Sequence, residues 1–116
     1  MIKPTVGRKV WYRPLVTDGH GPHPMLYRPG EPLDATVLAV WGDRMVNVLV
    51  FDIYGKPFTK TSIQLLQEGD TPPPGLDGKP LGGYVEWMPY QQGQAAKQAR
   101  TDYVVGINTP LGSVGT

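Results

Sequence analysis

Between residues 5 and 13 (TVGRKVWYR), Val6, Val10 and Tyr12 fall on even positions while Lys9, Trp11 and Arg13 fall on odd ones. This two-residue period predicts a half-buried strand, and Arg8, between the valines on the apolar side, is its single break. Apolar character returns in two dense runs, Ala35 to Trp41 and Met45 to Phe51, separated by Gly42-Asp43-Arg44. Two β-prone runs joined by a short Gly-Asp segment predict a hairpin. Asn47 is the one polar interruption of the second run and is expected to face outward. A turn over Asp52 to Pro57 and an alternating segment from Phe58 to Leu66 extend the hairpin into a three-stranded meander. Tyr84 to Met88 is a further short strand, which Pro89 ends because proline cannot donate to a ladder. Gln91 to Ala99 holds the only good helix formers, and Gly93 inside it limits the expectation to one or two turns. Tyr103 to Ile107 reads as another short strand in a tail that is expected to fray.

The segments between these elements are unusually rich in Gly and Pro. The chain has 15 Gly and 13 Pro in 116 residues, about twice the average usage of roughly 12%. Residues 14–33 carry five of the prolines and predict a long loop, of the kind that is functional or mobile. Residues 68–83, with the Pro72-Pro73-Pro74 triplet, predict an extended flap. The organisation expected is one β domain over residues 1–99, with a C-terminal extension over 100–116. The order of a first strand, a long loop, a meander and a short last strand predicts a mostly β fold. It would be a small SH3-like barrel, or a curved antiparallel meander, with long loops and at most one short helix.

Composition narrows the function classes. Eleven basic against ten acidic residues leave a net charge of +1, which argues against bulk electrostatic binding to nucleic acid. The absence of cysteine removes disulfides, thiolate metal sites and thiol nucleophiles. No run of about 18 apolar residues suits a membrane span, and Met1-Ile2-Lys3-Pro4 lacks the apolar core of a signal peptide, so an intracellular protein is expected. Asp18, His20 and His23 are too few ligands for a tetrahedral metal site. No positioned base accompanies Ser62, and Glu68 and Asp70 have the chemistry of turn residues. A non-enzymatic protein without metal or other cofactor is expected.

The aromatic and cationic residues are the better lead, because they occur together: Trp11 with Arg13, Tyr27 with Arg28, Trp41 near Arg44, and Trp87 with Tyr90 and Gln91. Rings and guanidinium planes stack on a nucleobase, and an Arg fork takes a phosphate. Trp11, Arg13, Arg28, Trp41, Arg44, Trp87, Tyr90 and Gln91 are therefore the candidate ligand-binding residues, with Trp41 and Trp87 equally suited to anchor a core. The apolar hairpin residues Val37 to Val40 and Val46 to Val50 exceed what a thin core needs, which predicts a homo-oligomer.

The blocks MIKPTVGRKVWYRP, DATVLAVWGDRMVNVLVFDIYGKP, TSIQLLQEGD and GGYVEWMPYQQGQAAK cover most of residues 1–97. With DRMVN and EWMPYQ as the specific parts, they resemble a family of small uncharacterised proteins encoded by tailed bacteriophages and prophages. The loop with the two histidines, the PPPGLDGKPLGG insertion and the chain after Lys97 depart from that pattern. The resemblance implies a phage accessory gene product in the host cytoplasm. Its expected role is that of a binding protein acting on the host, including counter-defence capture of a nucleotide-derived immune signal. A virion-associated or assembly module, and direct inhibition of a host protein, are the alternatives.

Overall fold

In the computed structural model, which describes residues 1–97, five strands close into a barrel in the order β1-β2-β3-β4-β5. They are β1 (Lys9–Arg13), β2 (Leu33–Gly42), β3 (Met45–Phe51), β4 (Pro57–Leu66) and β5 (Tyr84–Glu86). β1 to β4 pair antiparallel in sequence order, and β5 runs antiparallel to β1 but parallel to β4. The mostly β barrel expected from the sequence is therefore present. Its parallel closing pair is a departure from an all-antiparallel meander, and it arises because the long 67–83 connection carries the chain back across the barrel end.

Alternation fills the interior. Val10 and Tyr12 of β1, Ala35 and Val37 of β2, Val46, Val48 and Val50 of β3, Ile63 and Leu65 of β4, and Val85 of β5 form the buried core with Met25 and Trp87. Of the hairpin's apolar residues, Val37, Val46, Val48 and Val50 turn inward, while Leu38, Val40, Trp41 and Met45 remain exposed. Two register shifts lie in the β2–β3 pair, and a third lies between Val46 and Val48 in the β3–β4 pair. At the last, Ser62 adopts φ +49°, so the inward residues of β4 change from even positions before it (Phe58, Lys60) to odd ones after it (Ile63, Leu65). Asn47 does face outward, and its Oδ1 accepts from both Trp41 Nε1 (2.9 Å) and the Ser62 backbone N–H (2.7 Å). One side chain thus ties the irregularities on the two flanks of β3.

The 14–32 loop is tied down rather than loose. A 3-10 turn at Val16–Gly19 presents Asp18, whose carboxylate accepts from the Tyr12 hydroxyl, Leu15 N–H (2.9 Å) and Lys60 Nζ (2.7 Å). Met25 then enters the core, and Leu26 is held by Asp52 Oδ2 (3.3 Å) and by Ile53 N–H. A loop of this length is ordered because two aspartates satisfy its backbone and one apolar side chain anchors it.

The sequence expectation for the end of β5 is corrected. Trp87 and Met88 leave the ladder, and residues 89–97 are helical, forming α1. This exceeds the one or two turns expected. Pro89 serves as the first helical residue, where its missing N–H costs nothing. Gln91 Oε1 accepts from the Met88 N–H (2.8 Å), the side-chain half of a capping box. The expected strand at 103–107 and the 100–116 extension lie outside the described residues.

Candidate functional site

Two features at opposite ends of β1 combine aromatic and charged side chains. The first is an open groove of about 580 Å³ lined by Ile2, Arg8, Lys9, Met88, Tyr90, Gln91, Gln94 and Ala95. β1 supplies its cations and α1 its amides and ring. Arg8 lies just before the strand begins, with Cζ 5.3 Å from the centroid of the Trp87 ring. Its guanidinium has no carboxylate or carbonyl partner among the described residues, so its donors point to solvent. Lys9, by contrast, pairs with Asp34 Oδ2 at 3.1 Å. Tyr90 stands 66% exposed on the first turn of α1. A planar cation backed by an indole, next to an exposed phenol, can stack on a flat ring and donate to an anion.

The second feature is a cleft of about 350 Å³ between the 14–32 loop and the base of the flap, lined by Arg13, Pro14, Tyr27, Gly30, Glu31, Pro80, Gly82, Tyr84 and Glu86. Gly83 N–H donates to Arg13 carbonyl oxygen at 2.6 Å, which clamps the flap to the end of β1. A Cβ on Gly82 would clash with the Pro14 carbonyl oxygen. Only glycine permits so close a backbone approach at φ +84°.

The expected binding residues scatter over the barrel. Trp11 and Arg13 do meet, with the guanidinium 5.6 Å from the indole centroid. However, Arg13 Nε is paired with Glu86 (2.6 Å) and Nη1 donates to Gly30 carbonyl oxygen (3.2 Å). Arg28 is exposed in the loop. Trp41 is 63% exposed, but Arg44 beside it is engaged by Asp70 through Nε (2.8 Å) and Nη2 (3.3 Å). That pair holds the Asp70 carboxyl below its ordinary range, helped by the Gln67 N–H. Of the candidates, Trp87 takes the core role that the sequence left equally open, and Gln91 takes a structural one. Trp87 is only 2% exposed and is a core residue, because its indole fills the barrel end where β5 stops. Gln91 is buried, and its Nε2 donates to the Lys9 carbonyl oxygen (2.9 Å), so its amide fastens α1 to β1 and is spent on structure.

Arg8, which lines the groove, is not among the candidates read from the sequence, although it is legible there as the break in the apolar alternation. Tyr84, which lines the cleft, is also outside that set, because nothing in its sequence context separates it from an ordinary strand tyrosine. His20 and His23 are exposed, and no group of three or more metal-ligating side chains forms among the described residues. No helix among them is long and apolar enough to cross a membrane. No protein-family model, curated protein or solved structure matches the chain.

Proposed function

We propose that this chain is a non-enzymatic binding protein. In this reading it is a phage accessory protein acting on the host, whose groove between β1 and α1 captures a planar, anionic, nucleotide-derived ligand. The observation that carries the reading is Arg8, a guanidinium without an acidic partner among the described residues, laid on a buried indole in the groove that the exposed Tyr90 ring also lines. A nucleobase stacks on the outer face of Arg8 or on Tyr90, and a phosphate takes the guanidinium donors. The phage setting rests on the sequence resemblance, and the counter-defence role on analogy with other small phage proteins that sequester nucleotide signals. Binding rather than chemistry is supported by the carboxylates, since Asp18, Asp52 and Asp70 are each engaged by backbone N–H groups or cations of the fold.

Capture below micromolar concentration needs more than about 8 kcal/mol of net binding, more than one exposed Arg–phosphate contact provides. A second copy adds contacts, and the exposed Leu38, Val40, Trp41 and Met45 at the hairpin end are the surface through which we propose that the chain self-associates.

The test is calorimetry of the full chain with ADP-ribose, with adenine nucleotides and with cyclic dinucleotides, paired with heat release and mass analysis of anything that co-purifies. Binding that Arg8→Ala and Tyr90→Ala each weaken at least tenfold is the expected result. No heat with any of these probes and no released nucleotide would remove the capture reading in favour of contact with a protein.

A further inference from the structure

The cleft between the 14–32 loop and the flap contains a buried donor that the fold does not use. Tyr84 is 5% exposed, lines the cleft, and its hydroxyl has no hydrogen-bond partner among the described residues. In the open cleft water can pair this hydroxyl, and a ligand carbonyl that replaces the water keeps the hydrogen bond while adding its own contacts. The phenol is pushed up from its ordinary range by burial first and by Glu86 next, with Arg13 opposing. Its oxygen therefore senses the two charged groups that line the same cleft.

The remaining groups define the ligand. Arg13 spends Nε on Glu86 and Nη1 on Gly30 carbonyl oxygen, leaving Nη2 as a second donor on the cleft wall with no partner among the described residues. Its charge is neutralised by Glu86, so it is a poor receptor for a phosphate. Glu31 at the rim has no cationic partner among the described residues, which leaves the cleft net negative. Pro14, Pro80 and Tyr27 give it apolar walls. The ligand must therefore present carbonyl acceptors to Tyr84 and Arg13, a cation to Glu31, and apolar surface to the prolines.

We propose that this cleft binds an extended peptide segment of a partner protein carrying a basic side chain. Tyr84 Oη donates to a peptide carbonyl and Glu31 pairs with the cation. An extended peptide offers unpaired carbonyls at regular spacing, which a nucleotide does not. The volume of about 350 Å³ falls in the range of small-ligand clefts, roughly 300–1,000 Å³. This site lies at the opposite end of β1 from the Arg8 groove, so either can fail without the other.

The experiment is an amide chemical-shift titration of the full chain with acetyl-Ala-Pro-Arg-Pro-Ala-amide, and with the same peptide carrying Glu in place of Arg. Shifts confined to residues 13, 27, 30, 31, 82, 84 and 86 with the Arg peptide, and none with the Glu peptide, are expected. Tyr84→Phe should weaken binding by about two- to tenfold, the worth of one hydrogen bond, while the thermal midpoint stays level because the hydroxyl makes no hydrogen bond to the described residues. Glu31→Gln should weaken binding and flatten its salt dependence. Absence of shifts at millimolar Arg peptide, equal binding by Tyr84→Phe, or preference for the Glu peptide would each overturn the proposal.

Discussion

The indole N–H of Trp87 donates to Oε1 of Gln67 at 3.1 Å, and both residues are buried. The same oxygen accepts from Ile2 N–H (3.1 Å), while Nε2 donates to the carbonyl oxygens of Ile2 (2.9 Å) and Asp43 (2.8 Å). A single amide thereby joins the N-terminal segment, the hairpin turn and the start of α1. A fully satisfied buried network of this kind specifies one arrangement, and loss of a member leaves several orphaned groups. Gln67→Ala should cost on the order of 3 kcal/mol, and Trp87→Ala about 3–5 kcal/mol. Denaturant titration of each variant checks both.

Arg44 and Arg8 should behave in opposite ways. Arg44→Ala breaks the Asp70 pair that braces the hairpin turn against the Gln67–Asp70 turn, so its thermal midpoint falls while ligand binding is retained. Arg8→Ala removes no hydrogen bond or ion pair among the described residues, so binding falls with little change in midpoint. Thermal scans alongside calorimetry separate the two effects.

Stability should fall on acidification. Burial opposes ionisation of Asp18, but hydrogen bonds from Lys60, Tyr12 and Leu15 outweigh it and hold the carboxyl below its ordinary range; Asp52 and Asp70 are held low as well. A carboxyl depressed in the folded state contributes stability that is fully present above its unfolded value of about 3.9 and is lost as pH falls through the folded value. The thermal midpoint should be flat near neutrality and decline below about pH 4. Asp18→Asn should start lower and decline less steeply.

The flap should depend on Gly82. Alanine there meets the Pro14 carbonyl oxygen and is held at a positive φ, which costs about 1 kcal/mol before the clash is counted. Gly82→Ala should speed amide exchange at Gly83, whose N–H is bonded to Arg13 carbonyl oxygen, and should abolish peptide binding in the cleft.

Self-association can be read directly. Light scattering at micromolar concentration should give a mass above that of one chain, and Trp41→Ser with Met45→Ser should return it to the monomer. A monomer in the unmodified protein would contradict the proposed assembly.

Much of the fold was legible because strand alternation and turn chemistry are local. The β2–β3 hairpin, the turn at Asp52 and the outward Asn47 all follow from residues close in sequence. The bulge at Ser62 was not legible, since its left-handed backbone is stabilised by Asn47, 15 residues away. Nor was the start of α1, where proline has opposite meanings in a strand and at the first position of a helix.

For the site, local chemistry identified which residue types could bind a planar or anionic ligand, and Arg8 as the break in an apolar face. Only the tertiary structure decided which cations were free. Glu86 claims Arg13 and Asp70 claims Arg44 across 73 and 26 residues of chain, whereas Arg8 lies over the Trp87 ring with no ion pair among the described residues. Composition and periodicity carry information about burial, because alternation sets which face each side chain takes. They carry none about ion pairs between distant strands, because those depend on how the barrel closes and on the register of β1 against β5.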